Sequence, residues 1–299
     1  MKKTLVILLS TVISLATASL ASAADSGWEI SAGISRGSGT FDYVLYFDRE
    51  ASEKLSKVTL PQDQTMLVLN GSYHFPAHGR FINLQYGTTG TGVKGRGSDS
   101  DWTTYGSGLL TDYGELDAYG GKRLFAVDVG TALLDTGNHQ LTLSLGWEKQ
   151  ETANELRNVV YHIIDGTDVG AQPQSDLGST LNGEFSGWRL GLGEKAALTS
   201  KLSLNLGLTL SFLSAEAYGH WANHYPAWNW VDSGDTVGYQ ASAGATYAFN
   251  DRLSGYLGYQ YGYAKAKDCV EVLNGAQLEQ AVDLKYEQSN IYAGLRYSF

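Results

Sequence analysis

The stretch Tyr286-Glu287-Gln288-Ser289-Asn290-Ile291-Tyr292-Ala293-Gly294-Leu295-Arg296-Tyr297-Ser298-Phe299 decides how the rest of the chain is read. Successive residues of an extended strand point to opposite faces. Ile291, Ala293, Leu295, Tyr297 and Phe299 therefore fall on one side, and Asn290, Tyr292, Gly294, Arg296 and Ser298 on the other. An apolar face, a polar or small face and a final aromatic residue fit the closing strand of an outer-membrane barrel, with lipid outside and the lumen inside.

The same alternation recurs upstream. Leu202, Leu204, Leu206, Leu208 and Leu210 alternate with Ser203, Asn205, Gly207, Thr209 and Ser211, and Leu141 to Trp147 and Val237 to Phe249 follow suit. The pattern predicts strands near 28–36, 65–75, 80–88, 122–134, 140–151, 185–196, 202–213, 236–249, 252–264 and 286–299. Short turns (Pro76 to Gly79, Asp135 to His139, Leu198 to Ser200, Asn250-Asp251) take turns with long polar loops near 37–64, 89–121, 152–184, 214–235 and 265–285. Short periplasmic turns opposite long outer loops are the asymmetry of such barrels. The expected fold class is all-β, a ten-stranded antiparallel transmembrane β-barrel occupying residues 24–299 as one domain.

Lys2 and Lys3, an apolar run from Leu5 to Leu20 and the small-x-small Ala21-Ser22-Ala23 predict a cleaved signal peptide over residues 1–23, and hence export to a bacterial outer membrane. Its removal makes the chain more negative by two than its formal −10. An acidic surface disfavours nucleic acid and favours cationic ligands. The single cysteine, Cys269, excludes an internal disulfide and reads as an isolated thiol in a polar loop. No metal or cofactor is expected, and a closed barrel has no edge demanding a partner, so a monomer is expected.

Trp28, Tyr73, Phe81, Trp147, Trp188, Tyr247, Phe249, Tyr297 and Phe299 lie near predicted strand ends, where interfacial aromatic girdles belong. About eight strands already give an interior that side chains fill, whereas aqueous porins use about sixteen to eighteen. Ten strands therefore argue against a diffusion pore and direct attention to the loops.

Asp99 and Asp101, in Gly95-Arg96-Gly97-Ser98-Asp99-Ser100-Asp101-Trp102, point to one side of an extended segment at the rim. Their mutual repulsion raises at least one pKa, which lets the pair hold a proton or orient a water. The fourth loop, Glu216-Ala217-Tyr218-Gly219-His220-Trp221-Ala222-Asn223-His224-Tyr225-Pro226, stands roughly across the ring and offers a histidine as proton acceptor. There is no Gly-x-Ser-x-Gly elbow, zinc helix or phosphate loop, and Asp165-Gly166-Thr167-Asp168 reads as a turn rather than a calcium loop.

The Asp-x-Asp-Trp element (Asp99, Asp101, Trp102), the His224-Tyr225 pair, the opening Ile30-Ser31-Ala32-Gly33 strand and the terminal strand, in collinear order, resemble the omptins, ten-stranded outer-membrane proteases of Gram-negative bacteria. The resemblance implies an aspartic-type surface endopeptidase, with Asp99 and Asp101 positioning a water and His224 as general base. It departs from the family's Asp-x-His dyad at Ala222, where the orienting carboxylate is missing. Glu216, Asp232 or Asp235 could substitute for it, and His220 is an alternative base.

The resemblance also implies a cationic polypeptide substrate, for which Asp112, Glu115 and Asp117 supply acids, and lipopolysaccharide as activator. In the region matching the family's lipid site, Glu148-Lys149-Gln150-Glu151, acids outnumber bases. The alternative is a non-catalytic barrel that uses its aromatic loops for surface binding or adhesion.

Overall fold

A computed structural model describes residues 27–50, 53–76, 79–174, 178–222 and 227–299. The expected signal peptide and His224 with Tyr225 lie outside the described residues.

The described chain is entirely β. In order, its strands are β1 (Gly27–Tyr46), β2 (Lys54–Pro61), β3 (Gln64–His74), β4 (Arg80–Thr88), β5 (Gly92–Asp101), β6 (Asp112–Gly120), β7 (Lys122–Asp135) and β8 (His139–Thr152), followed by β9 (Glu155–Ile164), β10 (Thr167–Pro173), β11 (Thr180–Ala197), β12 (Leu202–Trp221), β13 (Trp228–Ala248), β14 (Leu253–Leu273) and β15 (Ala276–Ser298). All pairings are antiparallel, and they close two stacked rings. The lower ring runs β1-β3-β4-β7-β8-β11-β12-β13-β14-β15 and returns to β1, so the ten predicted strands are all present and closed. The upper ring keeps β1 and β11 to β15 but replaces β3, β4, β7 and β8 by β2, β5, β6 and β9, with a single β9–β11 bridge from Glu155 to Thr180 closing it.

The predicted long loops are thus largely strand. β1 shows how: its lower half pairs with β3 from Gly27 to Gly37, and its upper part with β2 from Thr40 onward. Polar loop composition concealed this because these hairpins stand in water on their outer face and need no apolar stripe there. β10 pairs only with β9, through a turn at Asp165-Gly166 where both residues have positive φ.

The outer face of the lower ring is an apolar belt that includes Ile30, Leu69, Leu84, Val129, Leu145, Leu206, Leu257 and Leu295, all exposed. Aromatic residues bound it at both ends. Trp28 meets Tyr73, Tyr247 meets Phe249 and Tyr297 meets Phe299 at the lower rim, while Phe125 meets Trp147 at the upper. Exposed apolar strand faces of this extent suit hydrocarbon rather than water.

The interior is filled in three layers. Within the belt the lumen is polar, with Asn70, Gln85, Asp128, Glu148, Arg189, Asn205, Gln260 and Asn290 buried. Above it Phe41, Leu60, Leu116, Leu156, Phe185, Leu213, Leu284 and Tyr286 form an apolar plug inside the upper ring. Between these layers Lys94 is 1% exposed, its ammonium donating to Thr152 Oγ1 (2.8 Å), Asn154 Oδ1 (2.8 Å) and the carbonyl of Ala153 (2.7 Å). Cys269 is buried on β14 against Gly234, and not the loop thiol expected from its polar surroundings. Because its neighbours alternate across a strand, polar flanks did not mark it as exposed.

Candidate active site

Asp99 and Asp101 occupy the top of β5, at the rim of the upper ring. A bulge between Val93 and Gly95 sets their approach, and Gly95 holds φ +130° there, a conformation side chains rarely adopt. At the far end, Trp102 N–H donates to the Leu55 carbonyl (2.8 Å) and Thr111 N–H to the Asp101 carbonyl (2.8 Å), fixing the hairpin on both sides. Asp99 lies opposite Val58 and Gly114, and Asp101 opposite Ser56 and Asp112. Directly opposed strand residues share a face. Asp99, Asp101 and Asp112 therefore form one acidic wall looking inward.

Burial, and after it the charge of Asp101, lifts the Asp99 carboxyl well above the ordinary range. Asp101 is raised too, by burial and by Asp112 against a lowering hydrogen bond from Ser56. The two carboxyls of this wall therefore ionise less readily than free aspartates, which favours a proton shared between Asp99 and Asp101. Tyr161 of β9 borders the same wall, its hydroxyl proton held more tightly by burial and by the charges of Asp99, Asp101 and Asp112.

Counting strands from β5 through β2, β1, β15 and β14 reaches β13, halfway around the ten-strand upper ring. There Asp232, fully buried, stands directly across from Glu271 of β14 on the inward face. Tyr43 of β1 donates its hydroxyl to Glu271 Oε2 at 2.6 Å. Trp230 braces Tyr43, their ring centroids 6.0 Å apart, and lies over Gly219, where a Cβ would come within 1.9 Å of the indole. Burial, then Glu271, raises the Asp232 pKa, and burial raises that of Glu271. Tyr43 is raised by burial and then by Asp232, Glu271 and Asp101, so this one phenol feels the charge of both walls.

Of the stand-ins for the carboxylate missing at Ala222, only Asp232 points inward. Glu216 faces outside and bonds Tyr218, and Asp235 is exposed on the outer side of β13. His220 also corrects the expectation of an alternative base. It shares its face with Leu206, Leu208 and Phe212, and its Nδ1 meets Asn229 Oδ1 at 2.7 Å, because strand periodicity continues unbroken into what read as a loop.

The other described histidines are equally remote. His74 and His139 lie at the far end of the barrel, and His162 stands on the outer face with its Nε2 3.8 Å from Glu115. Glu115 and Asp117 also face outward, held by Arg96 at 2.8 and 3.6 Å, so of the three acids expected to bind a cationic substrate only Asp112 lines the mouth. Among the described residues no cluster of three or more histidine, cysteine or acidic side chains could hold a metal ion.

Outside the barrel, the Glu148–Glu151 stretch alternates. Glu148 and Gln150 are buried in the lumen, while the exterior ammonium of Lys149 is taken by Glu151 (2.9 Å) and Glu184 (3.0 Å).

No protein-family model matches this chain, and no curated protein is significantly similar to it in sequence. Its fold does match. The crystal structure of the outer membrane protease OmpT from Escherichia coli superposes with a TM-score of 0.80 over 91% of this chain and 97% of that one, at 16% identity. OprG from Pseudomonas aeruginosa (TM-score 0.38, 12% identity, 93% and 99% covered) and the NalP translocator domain from Neisseria meningitidis (0.37, 10%, 91% and 88%) align far more loosely. The chain thus has the omptin fold, an outer-membrane β-barrel. At this identity the likeness speaks for architecture alone.

Proposed function

We propose that this barrel is a surface endopeptidase of the Gram-negative outer membrane, hydrolysing cationic polypeptides with an activated water. The observation carrying this reading is the Asp99–Asp101 pair at the mouth, Asp99 buried and Asp101 partly so, facing a second carboxyl pair from the opposite wall of the upper ring. One proton shared by Asp99 and Asp101 leaves a carboxylate to hold and polarise water and a carboxylic acid to hydrogen-bond a scissile carbonyl. His224, which lies between β12 and β13 in the sequence, is assigned as the base that takes the water's proton. Of the acids that could replace the carboxylate absent at Ala222, Asp232 alone faces inward, and burial beside Glu271 favours its protonated form.

The acidic rim of Asp99, Asp101 and Asp112, with no cation opposing it among the described residues, supports a basic substrate. Closure of both rings supports a monomer, since the short β10, paired with β9 alone, is the one strand edge left among the described residues. Lipopolysaccharide as activator remains part of the proposal, although Lys149 is already neutralised by two carboxylates.

The test is cleavage of a quenched dibasic peptide by the refolded barrel in detergent, with and without lipopolysaccharide, beside Asp99→Asn and His224→Ala. Loss of about two orders of magnitude or more in kcat for both variants supports hydrolysis at this site. No turnover by the folded wild type moves the barrel to surface binding.

A further inference from the structure

The acidic mouth contains more proton-holding groups than water activation needs, and their arrangement is directional. Amide hydrolysis requires a base for the attacking water and an acid for the departing amine, because an amide nitrogen leaves only when protonated. In the reading above, the Asp99–Asp101 wall holds the water and His224 takes its proton, which serves the first requirement. No described histidine faces the cleft to serve the second.

Asp232 is 0% exposed, and neither of its carboxyl oxygens makes a hydrogen bond of normal geometry. Glu271 and the Trp230 indole are its polar neighbours. A buried ionised carboxylate without donors costs several kcal/mol or more, so it takes up a proton instead. Glu271 beside it accepts the Tyr43 hydroxyl, which favours the charge on Glu271 and the proton on Asp232. The titratable groups around this pair are Tyr43 on β1, Asp101 on β5 and Cys269 on β14, the last also near Asp283 of β15 and Asp268. None of them is cationic.

We infer that Asp232, Glu271 and Tyr43 form a proton relay that supplies the leaving amine during peptide hydrolysis, with Tyr43 the end nearer the Asp99–Asp101 wall. This rests on the endopeptidase reading above. As the tetrahedral intermediate collapses, the carbon–nitrogen bond breaks, its electron pair stays on nitrogen, and nitrogen takes the proton of the Tyr43 hydroxyl. Tyr43 is reprotonated from the Glu271–Asp232 pair. That pair recovers its proton from solvent, which receives the one released by the attacking water, so protons balance over the cycle. Glu271 and Asp232 act through Tyr43 and are positioning residues.

The experiment combines two readouts on the refolded full barrel. Infrared difference spectra across pH follow the protonated carboxyl band in wild type, Asp232→Asn and Glu271→Gln. Peptide cleavage across pH is measured in the same proteins and in Tyr43→Phe, with folding checked by heat-modifiable gel mobility. The expected results are a carboxyl band that persists in wild type at neutral pH and loses the Asp232 share of its intensity in Asp232→Asn, leaving that of the Asp99–Asp101 pair, and a fall in kcat of about a hundredfold in each variant with KM little changed. The alkaline limb of wild type, where the acid loses its proton, should flatten in the variants.

Should Asp232→Asn fail to fold, Glu271→Gln and Tyr43→Phe carry the test. Undiminished carboxyl band intensity in Asp232→Asn overturns the relay, as do variants with wild-type pH profiles and kcat. No turnover by folded wild type with the band intact overturns the relay together with the hydrolytic reading, and leaves a proton-sharing pair without catalytic use.

Discussion

Arg189 Nε donates to Asp128 Oδ1 at 2.7 Å in the polar lumen, and the same guanidinium reaches Glu148 Oε2 at 3.0 Å. One cation therefore neutralises two carboxylates inside the apolar belt, where water is scarce. Removing one partner of a buried ion pair strands the other charge, at a cost of about 3–5 kcal/mol. Arg189→Met is expected to lose about that much stability, read from the urea midpoint of the detergent-refolded barrel. Adding Asp128→Asn and Glu148→Gln should recover most of it. A single variant as stable as wild type would show a lumen wet enough to solvate both acids.

Lys94 has oxygen acceptors on every side and no carboxylate among its hydrogen-bond partners. Burial lowers its pKa to about 7. Between about pH 7 and the ordinary lysine value near 10.4, the unfolded chain holds a proton that the folded one has released, so stability rises with pH through that window. Below pH 7 both states are protonated and this contribution is flat. Lys94→Met should remove the alkaline rise. Above that window, where the amine is neutral in both states, it should also destabilise by about 1–3 kcal/mol, since the carbonyls of Gly121 and Ala153 lose their donor, whereas below pH 7 relief of the buried charge offsets that loss. Urea midpoints at pH 6, 7.5 and 9 decide this; an unchanged slope in the variant would assign the rise to another group.

Leu206 projects from the lower part of β12, within the outward apolar run Leu204 to Phe212, and is 52% exposed on the outer face. An arginine at the bilayer midplane of a barrel costs about 2–4 kcal/mol. Leu206→Arg should therefore refold poorly into phospholipid vesicles while folding normally in detergent micelles, whose headgroups lie closer. Ser203→Asn, on the lumen side of the same strand, serves as control. Equal yields in both media for Leu206→Arg would place this face outside hydrocarbon.

The ten membrane strands were legible because their outer faces must be apolar at every second residue, a demand seen directly in Leu202 to Leu210 and Ile291 to Phe299. The upper ring was not. Its outer face meets water, so strands such as Lys54–Pro61 and Asp112–Gly120 carry no apolar stripe strong enough to distinguish them from loops. The Asp99–Asp101 wall was readable from local spacing alone, since residues two apart share a face. Glu271 was not, because its role depends on standing across a ladder from Asp232, and register between distant strands is not written locally. Nor was the outward turn of Glu115 and Asp117, which needs the bulged register of β6 against β9 to be known.

The two faces of β6 give the last test. Asp112 shares the inward wall with Asp101, whereas Glu115 and Asp117 bind Arg96 outside. A cationic peptide in the mouth meets the first and not the others. Asp112→Asn should raise KM for a dibasic peptide while leaving kcat near wild type, the signature of binding lost equally from ground and transition states. Because the Asp112 charge raises the Asp101 pKa, its removal lets Asp101 ionise at lower pH, and the acid limb of kcat/KM should move downward. Glu115→Gln and Asp117→Asn should leave KM and both limbs in place. If Glu115→Gln weakens peptide binding as much as Asp112→Asn does, the substrate approaches along the outer face of the upper ring and not through its mouth.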